Sequence, residues 1–452
     1  MTREDYFEHP WRLDIRKGKA LRINRLVGIA LGTALFMTAA APMASADTET
    51  VSSTAESLDR AALRTTLGAV HDAGMYGGYS SVREGAERWT GASGLADVDT
   101  GRPVKPGMRH RVGSISKTFT AVAVLQQVER GRIRLDAPVG EYLPGLIKGE
   151  RGRDVTVRML LNHTSGIGDY FLGAFPSLAD NSTASLDEGR FRSVRPEELV
   201  RLGLAAPATG RPGEQPGSYS NTNYVIAGLL LEKVTGQSAG TYITRNVIDR
   251  AGLHATSYPR TPSIKGPHSR MYESFYGLID PPRDYSVYDM SWASAAGSIV
   301  STTDDLNRFY RTLLTGGLIG PAALGEMLRT VPVIAGGFGV DYGLGIYVLD
   351  LPGCGRFWGH DGAVFGAGTI ALSSRDGKRQ LAMGWNLMKY QRLNEDGTAL
   401  EPSAIDHAIN EHIAQALCRV PESREAAAGA RQPLPEGLPG VDLSSGRWVT
   451  PG

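Results

Sequence analysis

The stretch Arg109-His-Arg-Val-Gly-Ser-Ile-Ser-Lys-Thr-Phe-Thr-Ala-Val-Ala-Val-Leu-Gln-Gln-Val-Glu-Arg-Gly131 decides how the chain is read. It predicts a short strand running into an amphipathic helix, because Phe119, Val122, Leu125 and Val128 recur three apart on one helical face. Gly131 supplies a C-terminal stop. Ser114 and Lys117 stand three apart where that helix begins, so their side chains share a face. The unpaired amides and positive dipole end there favour an oxyanion and disfavour an ammonium. A lysine whose pKa is lowered in this way is a base for a serine hydroxyl. One Ser-x-x-Lys in 452 residues arises by chance, so its surroundings must carry the assignment.

A composition of 41% hydrophobic and 21% charged residues fits two or three compact units, or one large domain with an inserted subdomain. The formal net charge of +1 gives no basic excess, so no nucleic-acid partner is expected. The charge is skewed at the start, with seven Lys/Arg against four Asp/Glu before Ala46. There Arg16, Lys17, Lys19, Arg22 and Arg25 precede an uncharged run of sixteen residues, Leu26 to Ala41, and then Ala44-Ser45-Ala46. This is the pattern of a signal peptide over residues 1–46, cleaved after Ala46, which predicts a secreted protein. The run is short of the ~20 residues that span a bilayer, so an uncleaved membrane anchor is the alternative and no span is expected after cleavage. The two cysteines, Cys354 and Cys418, fit an oxidising compartment and are expected to form a disulfide between a strand region and the last helix.

Along the chain, residues 47–57 read as a flexible lead-in and Leu58 to Ala73 as a helix. Tyr76 to Glu84 and Arg88 to Leu95 follow as a hairpin. After the central helix come a proline-bearing loop at Leu135, a short helix Val155 to Leu161, and a long surface loop from about Asp169 to Val194. Pro196 opens a helix, and another is predicted from Tyr224 to Val234, which leaves Tyr219 and Asn221 on the extended segment before it. Residues i and i+2 of such a segment point the same way. Gly236-Gln-Ser-Ala-Gly240 matches Gly-x-Ser-x-Gly, but a helix precedes it where that elbow needs a strand, so it is a helix–helix corner. Helices at Thr303 to Leu314 and Ala322 to Leu328 lead to strands at Tyr342 to Leu349, Arg356 to Gly359, Gly368 to Ser374 and Gln380 to Trp385. A helix from Ala404 to Leu417 closes the domain, and residues 419–452 read as a disordered tail. Strands near both ends with helices between them predict a mixed α/β (α+β) fold. In it an antiparallel sheet (about 58–113 and 330–418) is flanked by helices and carries a helical, loop-rich insertion (about 114–329) within a domain spanning 58–418.

Taken together, Ser114-Ile-Ser-Lys117, Tyr219-Ser-Asn221 and His360-Asp-Gly362 resemble the three motifs of the penicillin-recognising serine hydrolases, in the family's order. The likeness is to the secreted D-alanyl-D-alanine carboxypeptidases beside the class C β-lactamases. Leu160-Leu-Asn-His-Thr-Ser-Gly166 and Ser291-Trp-Ala-Ser-Ala-Ala-Gly297 resemble further stretches of the family, and the likeness runs from about Leu58 to Cys418. It implies that Ser114 forms an acyl-enzyme and that Lys117 takes its proton. Tyr219, its pKa depressed by Lys117, would relay a proton, and Asn221 would orient Lys117. His360 would bring a titratable positive charge where the family often has lysine, and the backbone N–H groups of Ser114 and Ala363 would form the oxyanion hole. Asp361, Gly362, Trp292 and Phe175 are the expected substrate contacts. No cofactor or metal is expected, since the nine histidines form no His-Glu-x-x-His set.

Two departures bear on substrate. The middle residue of the third motif is Asp361 where peptidase relatives have Thr or Ser, and Gly345-Ile-Tyr-Val-Leu-Asp lacks the arginine that pairs with a substrate carboxylate in some carboxypeptidases. Both weaken recognition of a free C-terminus, unless Asp361 points away and Arg356 binds the acid. The expectation is an exported, monomeric serine acyl hydrolase acting on a small peptide, ester or β-lactam, with D-alanyl-D-alanine carboxypeptidase activity foremost. An esterase or D-amino-acid amidase is the alternative on the same fold, and a non-catalytic penicillin-binding or sensor protein the further one.

Overall fold

A computed structural model describes residues 58–418 apart from 337, 393, 395–399 and 402. The predicted signal peptide, lead-in and tail therefore lie outside the described residues, and among those described no helix is long and apolar enough to cross a membrane. The framework is one ten-stranded sheet. Its order runs Arg102–Pro103, Glu87–Asp97, Gly77–Glu84, Arg379–Trp385, Ala367–Ser374, Gly355–Val364, Tyr347–Leu351, Phe338–Tyr342, Val331–Ala335 and Gly217–Ser218. All pairings are antiparallel except the last, between Gly217–Ser218 and Val331–Ala335. The two ends of the domain thus meet within the sheet, where Gly77–Glu84 pairs with Arg379–Trp385.

Helices cover both faces, as the alternation of strand and helix blocks requires. Arg60–Asp72 and Ala404–Leu417 pack on one another and over one face, closing a core with Val82, Leu372, Leu381 and Met383. The larger core lies with the helical region, around Ser116–Glu129 and Asn221–Thr235. The central helix differs from the predicted amphipathic one, because every residue from Ser116 to Gln127 is buried. A helix buried all round must pair its polar groups internally. Thr118 Oγ1 donates to Gly345 O (2.6 Å), Thr120 Oγ1 to Ala295 O (2.8 Å) and Gln127 Nε2 to Tyr242 Oη (2.6 Å). Phe119 stacks on Phe309 with ring centroids 3.7 Å apart.

Three further expectations are corrected. The helix predicted from Tyr224 begins at Asn221, because the side chains of its first residues are held by partners outside it: Thr222 Oγ1 donates to Gly168 O (2.7 Å) and Asn223 Oδ1 accepts from Ser165 Oγ (2.6 Å). The segment read as a surface loop from Asp169 contains short helices at Phe171–Ala174, Pro176–Asp180 and Ala184–Glu188, and it buries Phe171, Phe175, Leu178 and Leu186. The single strand predicted from Tyr342 to Leu349 is a turn between two strands, with Tyr342 opposite Tyr347, and a further strand, Val331–Ala335, pairs beside it. The corner at Gly236–Gly240 is as read: Gly236 ends one helix at φ 68° and Ser238 caps the next by accepting from Thr241 N. Cys354 and Cys418 form a disulfide, tying the turn before Gly355–Val364 to the end of the last helix.

Candidate active site

Strand His110–Arg111 passes through one 3₁₀ turn, Gly113–Ile115, into the central helix, so Ser114 sits at the helix entrance with Lys117 one turn on. Lys117 is fully buried. Its Nζ lies 2.9 Å from Ser114 Oγ, 2.7 Å from Asn221 Oδ1 and 3.0 Å from Ala296 O. Two of these oxygens are carbonyls and can only accept. A neutral amine has two hydrogens, which the carbonyls take, and its lone pair is then left facing the Ser114 hydroxyl. Burial pushes the Lys117 amine down to about 7, against the opposing pull of Asp169 and Asp361.

Asn221 is oriented in turn. Its Nδ2 and backbone N–H both donate to Asp169 Oδ2, at 2.9 and 2.6 Å, while Phe171 N donates to Asp169 Oδ1 at 2.8 Å. Asp169 thus fixes which end of the Asn221 amide faces the lysine. Sequence reading missed it, having placed it at the start of a loop; the one available signal was an acid directly after Gly166-Ile-Gly168.

Tyr219 places its ring 4.9 Å from Lys117 Nζ and its hydroxyl beside the Ser114 side chain. The predicted depression of its pKa is not found. Burial, with the Asp361 carboxylate adding to it, holds the phenol well above its ordinary value, so it is a protonated donor at neutral pH. His360 is corrected likewise. It is buried, and its Nδ1 lies 2.5 Å from Asp361 O, an acceptor, which makes Nδ1 the protonated nitrogen; Nε2 then accepts from Tyr342 Oη at 2.8 Å. Burial, aided by Lys117, lowers it to about 3, so it is neutral and supplies no positive charge near pH 7. Asp361 has the opposite shift, up to about 7, chiefly from burial.

The strand contributes through its backbone. A Cβ on Gly362 would lie 2.1 Å from Val112 O and 2.7 Å from Ser114 N, and one on Gly113 would lie 2.6 Å from Ala363 N. The two backbones therefore run in contact, and Ser114 and Ala363 line the same cleft. Tyr170, Phe171, Asn221, Trp292 and Val364 complete much of its wall. Of the expected substrate contacts Trp292 is on this lining, whereas Asp361 and Gly362 are not. Phe175 does not line the cleft; it packs edge-on behind Trp292 and Phe365, with centroids 5.3 Å from each. Among the described residues lining the cleft there is no Lys or Arg. Arg356 is turned toward Asp350 (3.9 Å) and the Trp358 ring.

This geometry agrees with three comparisons. The family model described as Beta-lactamase matches residues 54–402, and the chain belongs to that family of serine hydrolases. Penicillin-binding protein 4* of Bacillus subtilis is 28% identical over 77% of this chain and 74% of its own. Esterase EstB of Burkholderia gladioli is 34% identical over 44% of this chain and 53% of its own. A D-stereospecific amidohydrolase from a Streptomyces species superposes with a TM-score of 0.69 at 36% identity, covering 80% of this chain and 99% of that one.

Proposed function

We propose that the protein is an exported serine acyl hydrolase that is acylated on Ser114 and acts on amides and esters whose leaving end is uncharged. One observation carries the reading: Lys117 Nζ lies 2.7 and 3.0 Å from two carbonyl oxygens and 2.9 Å from Ser114 Oγ, so the two hydrogens of the neutral amine go to the carbonyls and its lone pair is left for the Ser114 proton. Ser114 Oγ attacks the substrate carbonyl as Lys117 Nζ takes its proton, and the N–H groups of Ser114 and Ala363 receive the oxyanion. The protonated Tyr219 donates to the leaving amine or alcohol and is re-protonated from Lys117. In the second half-reaction the same groups act in reverse on water, and no metal or cofactor is called for in either half.

The choice of substrate rests on charge. A terminal carboxylate would meet no cation among the described residues lining the cleft and would lie in the field of Asp361. The names of the Streptomyces D-stereospecific amidohydrolase and of Esterase EstB agree with an amide or an ester as the bond cleaved. D-alanyl-D-alanine carboxypeptidase activity is the second reading, favoured by the penicillin-binding relative. Labelling with a fluorophosphonate and with a fluorescent penicillin, followed by intact-mass analysis and peptide mapping, tests the nucleophile: both adducts are expected on Ser114 and absent from Ser114→Ala. A panel of D-phenylalanine amide, p-nitrophenyl acetate and acetyl-D-Ala-D-Ala tests the substrate class; turnover of the dipeptide alone overturns the neutral-end reading. Export after Ala46 is supported by the disulfide, and N-terminal sequencing of the mature protein should begin at Asp47.

A further inference from the structure

Behind one wall of the Ser114 cleft lies a second, larger cavity. The cleft itself has about 10 Å³ of open space, room for a single water. The second has about 320 Å³, the size of a small-molecule site. One short segment separates them. Trp292, Ala293, Ala296 and Gly297 line the cleft, whereas Ser291, Ser294 and Ser298 line the second cavity. The segment is broken into a 3₁₀ turn, Met290–Trp292, and a short helix, Ser294–Gly297, and it turns different residues to the two spaces. Ser294 holds φ at 43°, a left-handed conformation that is strained for a residue other than glycine and is characteristic of functional segments. The same segment holds the lysine, since Ala296 O, 3.0 Å from Lys117 Nζ, is one of the two carbonyls that take its hydrogens.

The cavity carries charge of both signs. Glu232 Oε1 accepts from Ala239 N at 2.8 Å, while Oε2 takes no hydrogen bond from a described residue. Burial and the neighbouring Glu197 raise this carboxyl, the condition of an anion in want of a cation. Arg260 lies exposed on the same lining, and no ion pair joins it or Glu232 to another described residue. Asp289, also on the lining, already has the buried Arg111 guanidinium nearby. Leu229 and Met290 supply apolar surface, and Tyr258 lies on the lining beside Ser298 and Ser294 of the shared wall.

We propose that this cavity binds a free α-amino acid, its ammonium on Glu232 and its carboxylate on Arg260, and that the occupant inhibits the enzyme. Substrate entering so narrow a cleft must displace the 290–298 wall, and the second cavity is the room into which the wall can move. An amino acid seated against Tyr258 and the three serines removes that room. The binding half is independent of the catalytic reading; the coupling half rests on it.

The test is isothermal titration of D- and L-alanine and D- and L-leucine, with butylamine and butyrate as single-charge controls. The titrated protein is the full chain carrying Ser114→Ala, so that nothing occupies the cleft or presses on the wall. At least one amino acid should bind tenfold or more tightly than either control. Glu232→Gln should weaken that binding at least tenfold, and Thr261→Trp, an exposed residue of the cavity lining, should abolish it. With unmodified enzyme, the saturating amino acid should raise KM for p-nitrophenyl acetate fivefold or more, and should fail to do so in Glu232→Gln. No heat from any of the four amino acids, or binding indifferent to both substitutions, overturns the site. A KM within twofold at saturation overturns the coupling. Failure of Ser114 to take a fluorophosphonate adduct counts against the catalytic reading instead, and leaves the titration on Ser114→Ala unaffected.

Discussion

The first two motifs and the third are built on different principles. Ser114, Lys117, Tyr219 and Asn221 meet side chain to side chain, from two helix entrances that converge on one amine. His360-Asp361-Gly362 lies on a strand whose histidine is satisfied by its own neighbour's carbonyl and by Tyr342, and whose closest approach to Ser114 is through backbone. In the proposed mechanism the difference separates proton handling, assigned to the helices, from the backbone contact through which the strand's Ala363 N joins Ser114 N at the oxyanion.

Substitutions can break that division. Lys117→Met keeps the volume and removes the base, and kcat/KM for p-nitrophenyl acetate should fall by about 10²–10⁴ or more with the fold intact by circular dichroism. Gly362→Ala would place a methyl against Val112 O and Ser114 N; about 10²–10³ should be lost in kcat, as for a disturbed oxyanion donor. His360→Gln should cost less than about tenfold, because a neutral imidazole carries no charge to lose; a loss comparable to that of Lys117→Met would return the histidine to the proton machinery. The smallest effect is a shift in pH. Lys117 is competent when neutral, so kcat/KM should rise with pH through an acid limb near 7. The Asp361 anion favours the ammonium, so Asp361→Asn should lower the lysine pKa and move that limb to lower pH; a move upward would contradict the charge assignment.

What sequence reading reached, and what it did not, follows the same line. The Ser114–Lys117 spacing, the helices Thr303–Leu314 and Ala404–Leu417 and the disulfide were legible, because helical periodicity and a lone cysteine pair are local or countable signals. The start of Asn221–Thr235 was hidden, since Asn-Thr-Asn reads as loop until partners such as Gly168 and Ser165 are known. Pro332 disguised the strand Val331–Ala335, which is tolerable near a sheet's edge. The pKa direction of Tyr219 was read from the nearby lysine and the charge of His360 from the lysine that the family often has there, whereas burial, which no motif records, dominates both.

The Cys354–Cys418 bond has a practical consequence for handling the protein. It closes a covalent ring across 64 residues, and the exposed Arg375-Asp-Gly-Lys378 turn lies inside that ring. A protease nicking that turn would leave both fragments migrating as one species on a gel until a thiol reductant is added. Electrophoresis without reductant would then report an intact molecule for a sample already cut through its central sheet.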